Sequence, residues 1–156
     1  MGRYQRDEIE AAFDHYQAAA LEGGRTGNWN AWVNCFTEDC TYIEHMYGRI
    51  GGREAVRTWI HKTMVEDWPG SDMPHFPIEW YMIDEDKGWV VCQVWNRMAD
   101  PGDGSLWQEY NFTLLKYAGN GLFSYEEDIY NPAHFGTMVS GWKRRKAELA
   151  AAAEPT

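Results

Sequence analysis

The sequence predicts a single α+β domain, a curved antiparallel sheet packed against three N-terminal helices and followed by a C-terminal helix. Three observations carry this. Apolar residues recur at helical three- and four-residue steps through the first third of the chain. Four runs rich in β-branched and aromatic residues then follow between positions 76 and 130, separated by Asp/Gly/Pro/Asn clusters. The 156 residues hold no internal repeat and no linker, and that length suits one domain with a sizeable core.

The first helix is expected from Arg6 to Leu21, with Ile9, Phe13, Tyr16 and Ala20 as its apolar stripe and Gly23-Gly24 as its break. Asn28 or Asn30 can cap a second helix carrying Trp29, Trp32, Val33 and Phe36. Cys40 to Tyr47 reads as a strand. Its alternation puts Thr41, Ile43, His45 and Tyr47 on one face, Tyr42, Glu44 and Met46 on the other. Gly48 to Gly52 reads as a turn into a third helix with Ala55, Val56, Trp59, Ile60 and Met64 on one stripe. The expected meander is Phe76–Ile83, Trp89–Met98, Leu106–Tyr117 and Leu122–Tyr130. Asn131-Pro132 pairs an N-cap with proline at the first helical position, so a terminal helix starts there. The domain is expected to span residues 1–148, with 149–156 as a disordered tail.

Composition narrows the function classes. The net charge of −10 opposes binding to nucleic acid, which needs clustered cations facing phosphates. The one basic cluster, Lys143-Arg144-Arg145-Lys146, fits the last turns of a helix. No apolar run reaches 18 residues, so no membrane span is expected, and the N-terminus lacks the apolar stretch of a secretory signal. Cys35, Cys40 and Cys92 form no CxxC pair and have no ligand-spaced partners, which predicts free thiols, no metal and a cytoplasmic setting. Nine Trp and nine Tyr supply flat, rigid surface suited to the walls of a hydrophobic pocket or to subunit interfaces. No GxGxxG after a strand, GxxxxGK[ST] or HExxH is present, so no cofactor is expected.

Several motifs in series carry a resemblance. Gly27-Asn28-Trp29-Asn30-Ala31-Trp32 is followed by Phe36-Thr37-Glu38-Asp39-Cys40-Thr41-Tyr42 and by Gly52-Arg53-Glu54-Ala55-Val56-Arg57. Thr113-Leu114-Leu115-Lys116-Tyr117 and Gly121-Leu122-Phe123 complete the set. In this order they resemble the NTF2-like superfamily, especially its SnoaL-like and ketosteroid-isomerase-like branches, over about residues 7–135. The resemblance implies a cone-shaped barrel whose helices close one end of a curved sheet around a tapered pocket. Such a fold hosts many unrelated functions.

The resemblance also implies site residues. The isomerase branch's strand base falls at His45, which as a neutral imidazole suits general base work near pH 7; the other reading is a cross-strand hydrogen bond. Tyr16 matches a tyrosine that polarises a carbonyl, or else extends the core stripe. The branch's second acid falls at Thr113, a weak donor, with Asn111 on the same face. Asp128 matches the catalytic aspartate of the epoxide-hydrolase branch, whose partner positions fall at Trp95 and Arg97. An Arg97–Asp128 ion pair beside His45 is expected, as support or as a ligand contact. Trp59, Trp95, Arg97, Asn111, Thr113 and Tyr130 are the expected substrate contacts, and Trp89, Val91, Gln93 and Trp95 form an aromatic pocket wall. Val90, Cys92, Val94, Phe112, Leu114 and Ile129 then form the opposite face, suited to a homodimer contact.

The functional expectation is a cofactor-independent acid–base enzyme acting on a small, largely apolar or aromatic molecule: an isomerase, cyclase, dehydratase or lyase. The alternative is a non-catalytic small-molecule-binding or dimeric assembly domain.

Overall fold

A computed structural model describes residues 2–153 of the chain. Helix α1 (Arg6–Thr26) buries Ile9, Phe13 and Tyr16 of the expected stripe together with Ala12 and Ala19, while the expected Ala20 is partly buried. It does not break at Gly23-Gly24. A Cβ on Gly23 would meet the Trp29 ring at 2.6 Å, and one on Gly24 the Pro74 carbonyl oxygen at 1.9 Å. These glycines let other parts of the chain lie against a continuing helix. The stop comes at Gly27, whose φ of 76° lets its N–H bond Gly23 O at 2.8 Å.

Helix α2 (Asn30–Val33) is one turn, shorter than expected, because strand β1 (Phe36–Glu44) begins four residues before Cys40. The expected turn after it contains a short strand, β2 (Gly48–Gly51). Helix α3 (Arg53–His61) follows and runs into a π-helical turn at Lys62–Glu66 and a 3-10 turn at Gly70–Asp72. The meander forms as expected in kind, as β3 (Ile78–Asp84), β4 (Trp89–Arg97), β5 (Gln108–Gly119) and β6 (Leu122–Ile129). Asn131 Oδ1 accepts the Ala133 N–H at 3.0 Å and starts α4 (Pro132–Ala153). That helix continues past Glu148, so residues 149–153, expected to be disordered, are helical; 154–156 lie outside the described residues.

The six strands form one curved, unclosed sheet in the order β2-β1-β6-β5-β4-β3. Every pairing is antiparallel except β1 with β6, which is parallel and sets Tyr42 beside Glu126 and Glu44 beside Asp128. The inner face of the sheet packs on α1, α2 and α3. Val90, Cys92 and Val94 of β4 are buried there, so the expected parity of this strand is reversed. Both faces carry large apolar residues, but Gln93 and Arg97 fall on the face that turns outward. The smaller side chains fit against the Ile9/Phe13 stripe, while Trp95 stays outside, where its indole N–H donates to Glu79 Oε2 at 2.8 Å. A second cluster of Met73, Met98, Met138, Val139 and Trp142 anchors α4. Trp142 Nε1–H donates to Ala99 O at 2.7 Å. Among the described residues, no helix is long and apolar enough to cross a membrane.

Candidate functional site

The concave face of the sheet and the helices enclose a cavity of about 440 Å³. Its walls are mostly apolar, with Trp29, Trp32, Trp59, Phe76, Met64 and Phe135 the larger contributors. The polar groups gather on β1, β5 and β6. Their inward positions are Tyr42 and Glu44, Asn111 and Thr113, and Glu126 and Asp128. The parallel β1–β6 register and the antiparallel β5–β6 register, which pairs Thr113 with Asp128, bring all six together.

Asp128 is the hub. Its Oδ1 accepts from the Thr113 hydroxyl at 2.5 Å and from the Asn111 amide at 3.1 Å, and its Oδ2 from the Tyr42 hydroxyl. Asn111 is itself held by the Asn96 amide, which donates to Asn111 Oδ1 at 2.6 Å. Glu126 Oε1 accepts from Tyr16 at 2.9 Å and lies 3.2 Å from the Tyr42 hydroxyl, while the buried Oε2 has no partner. Glu44 is 5% exposed. It accepts from the backbone N–H groups of Met46 at 2.8 Å and Tyr47 at 2.9 Å, and from the Tyr130 hydroxyl.

Burial dominates the electrostatics. It pushes the Asp128 carboxyl up to about 6, although the Thr113 and Tyr42 hydroxyls pull the other way. Glu126 is held well above the usual carboxylate range, first by burial and then by the charge of Asp128. The same burial, reinforced by these acids, raises the Tyr16 and Tyr42 phenols, and burial and Glu44 raise that of Tyr130. The chain therefore places carboxyls of different proton affinity side by side, an arrangement found at acid–base sites.

Of the residues expected from the sequence, Tyr16, Asp128, Trp59, Asn111, Thr113 and Tyr130 line the cavity. His45, Trp95 and Arg97 do not. His45 lies beyond the end of β1 on the outside, its Nε2 3.0 Å from Glu127 Oε1. Trp95 stacks edge-on with Tyr110 on the outer face of the sheet. Arg97 Nε–H donates to Gln108 Oε1 at 2.8 Å and makes no ion pair with Asp128, which corrects the expected pair. Tyr42, Tyr47, Glu44, Asp67 and Glu126 also line the cavity and are not among the expected site residues. The alternation of β1 already placed Tyr42 and Glu44 together, opposite His45.

Cys35, Cys40 and Cys92 are free and buried. Burial raises the Cys35 thiol to about 11, too high for a ready nucleophile. Among the described residues no group of three or more His, Cys, Asp or Glu is placed to hold a metal ion.

The profile of the SnoaL-like domain family matches residues 6–114. The chain belongs to the SnoaL-like domain family. This places it in the NTF2-like superfamily. The matched stretch ends on β5, so the SnoaL-like domain here completes its site with β6 residues beyond it. No curated protein matches the chain. Among solved structures, the domain is similar to a protein from Jannaschia sp. CCS1 assigned provisionally as a SnoaL-like polyketide cyclase. That pair shares 16% identity over 86% of this chain and 92% of the other, with a TM-score of 0.64. A Catenulispora acidiphila protein with a ketosteroid-isomerase-like fold, solved in complex with trimethylamine, shares 20% identity over 83% and 92%, TM-score 0.63. An LEH-like epoxide hydrolase of M. tuberculosis shares 11% over 96% of both chains, TM-score 0.65. At these identities the likeness is one of fold.

Proposed function

We propose that this SnoaL-like domain is a cofactor-independent acid–base enzyme acting on a small, largely apolar or aromatic organic molecule, of the isomerase, cyclase, dehydratase or lyase type. The observation that carries the reading is Asp128. It is a carboxylate with a proton affinity near neutrality, oriented by three donors, at the wall of an apolar cavity. At pH 7 it is mostly ionised and can take a proton from a carbon next to a carbonyl. The C–H electron pair then moves onto the carbonyl oxygen, and the proton on Asp128 returns at another carbon of the same molecule. The Tyr130 hydroxyl, which donates to Glu44 Oε1 in the free protein, can donate to the developing oxyanion by turning from Glu44 to the substrate. Tyr16 acts through Glu126 as a positioning residue. His45 takes no part in this scheme. The trimethylamine complex of the Catenulispora neighbour is in keeping with a pocket for small organic molecules.

The test is proton exchange into D2O, followed by NMR, with 2-tetralone and 3-cyclohexen-1-one as probes. Exchange faster than in buffer, falling by about 100-fold or more in Asp128→Asn, is expected. Enzyme-dependent exchange that is unchanged in Asp128→Asn overturns the reading.

The second reading, a dimeric binding or assembly domain, rests on the outer sheet face. Trp80, Met82, Tyr110, Phe112 and Ile129 are exposed there, with Trp80 and Phe112 rings 5.8 Å apart and Tyr110 and Phe112 5.4 Å apart. Of the residues expected at a homodimer contact, Phe112, Leu114 and Ile129 lie on this face, whereas Val90, Cys92 and Val94 are in the core. Light scattering that finds a dimer for the wild type and a monomer for Phe112→Asp supports this reading; a monomeric wild type removes it.

A further inference from the structure

Among the described residues, the cavity wall carries carboxyl groups and no cationic side chain. Glu44, Asp67, Glu126 and Asp128 contribute to its wall, whereas no lysine, arginine or histidine among the described residues does. The basic groups nearest in sequence or at the rim are engaged elsewhere. His45 pairs with Glu127 outside the sheet, Arg97 binds Gln108, and Lys143 sits 5.2 Å from the ring of Trp68, a half-exposed residue at the rim of the cavity. Asp67 is paired with Lys62 at 3.2 Å, whereas the donors to Glu44, Glu126 and Asp128 are hydroxyls and amides, which carry no charge. A buried carboxylate without a cation is costly, and native structures compensate it with a counter-ion. Glu126, 2% exposed, relieves that cost through its raised proton affinity, so the need for a counter-charge falls on Glu44 and Asp128.

Aromatic rings surround the same end of the cavity. The Tyr42 and Trp59 rings lie 4.9 Å apart and those of Tyr47 and Trp59 5.9 Å apart, on the Glu44 side. Tyr130, whose hydroxyl donates to Glu44, packs on Phe135 with the rings 4.8 Å apart. Glu44 and Asp128 are register partners. Ring faces attract cations through their quadrupole, and aromatic enclosures backed by carboxylates recognise alkylammonium groups. The chain's net charge of −10 draws cations towards it and repels anions.

We infer that the ligand of this cavity is an organic cation, a protonated or quaternary amine whose ammonium head lies among Tyr42, Trp59, Tyr130 and Phe135 beside Asp128 and Glu44. This rests on the reading of the cavity as the ligand pocket and names the class of molecule it takes. The ammonium supplies Glu44 and Asp128 with the counter-charge that no side chain of the cavity wall provides among the described residues, and the apolar remainder of the ligand fills the Trp29/Trp32/Phe76 end.

Tryptophan fluorescence titration tests this with three probes of one shape at pH 7.5: benzyltrimethylammonium, its uncharged carbon isostere neopentylbenzene, and phenylacetate. The cation is expected to bind about tenfold or more tighter than the isostere, with phenylacetate weakest. Asp128→Asn and Glu44→Gln, each checked for folding by circular dichroism, are each expected to lower cation affinity about fivefold while leaving the isostere unchanged. An isostere that binds as tightly as the cation overturns the inference, as does a cation preference that survives in both variants or no cation binding at millimolar concentration. Binding is read without turnover, so the two proposals fail separately. Asp128-dependent proton exchange on the ketone probes, with no preference for the cation, removes this inference and leaves the acid–base reading standing.

Discussion

Asp128→Asn is expected to stabilise the protein at neutral pH and to do so only there. The wild-type carboxyl has a folded-state pKa of about 6, raised by burial, against about 3.9 in an unfolded chain. Between those values the native state holds more protons than the unfolded state, so stability falls as pH rises. The slope integrates over about two units to a loss of about 3 kcal/mol, complete once the pH is above 6. Below pH 4 the carboxyl is protonated in both states and is nearly isosteric with asparagine, so the variant and wild type are expected to match. Asparagine can keep the surrounding bonds, its oxygen accepting from Thr113 and Asn111 and its amide donating to Tyr42. The variant should therefore gain about 3 kcal/mol relative to wild type between pH 4 and pH 7, or roughly 6–12 °C in Tm for a domain of this size. Urea unfolding followed by tryptophan fluorescence at unit steps from pH 4 to pH 8 measures it. Taking the difference between the two proteins cancels the titrations they share. A difference that stays constant with pH refutes the raised proton affinity, and with it the argument that Asp128 is poised near neutrality.

Tyr42→Phe removes a donor that favours the ionised form of Asp128, so the lower pH midpoint of any Asp128-dependent rate should rise by about one unit. A pH–rate profile with an unmoved midpoint contradicts that coupling. His45→Ala should leave proton exchange unchanged and stability within about 0.5 kcal/mol, because its pair with Glu127 is largely solvent-exposed; chemical denaturation beside the exchange assay checks both. Gly24→Ala should cost about 2 kcal/mol in spite of alanine's helix propensity, since its Cβ would lie 1.9 Å from the Pro74 oxygen. A stabilised Gly24→Ala would show that the loop carrying Pro74 yields easily.

Much of the architecture is legible in the residues themselves. The spacing of Ile9, Phe13 and Tyr16, the turn clusters between the meander strands and the Asn131-Pro132 helix start are local signals, and local chemistry decides them. The alternation of β1 likewise separates Tyr42 and Glu44 from His45 in sequence. Which of those faces meets the cavity is a different kind of fact. Neighbouring strand residues point in opposite directions, so an assignment displaced by one residue exchanges Glu44 for His45 and turns the polar site inside out. On β4 both faces carry large apolar residues: Val90, Cys92 and Val94 fit beneath α1, while the face with Gln93 and Arg97 turns outward and Trp95 keeps its indole N–H at the surface. Gly23-Gly24 reads as a break and is a contact surface, because Trp29 and Pro74 arrive from outside the helix.

The site depends most on tertiary structure. Tyr42, Thr113 and Asp128 are far apart in sequence, and each taken alone is an ordinary inward strand residue. The parallel β1–β6 register and the antiparallel β5–β6 register place them on one another. Sequence alone determined the domain class, the acidic balance and the supply of aromatic rings. Only the folded chain decided that those rings and acids share a cavity without a cation, because pairing register and packing volume are properties of segments that meet after the chain has closed on itself.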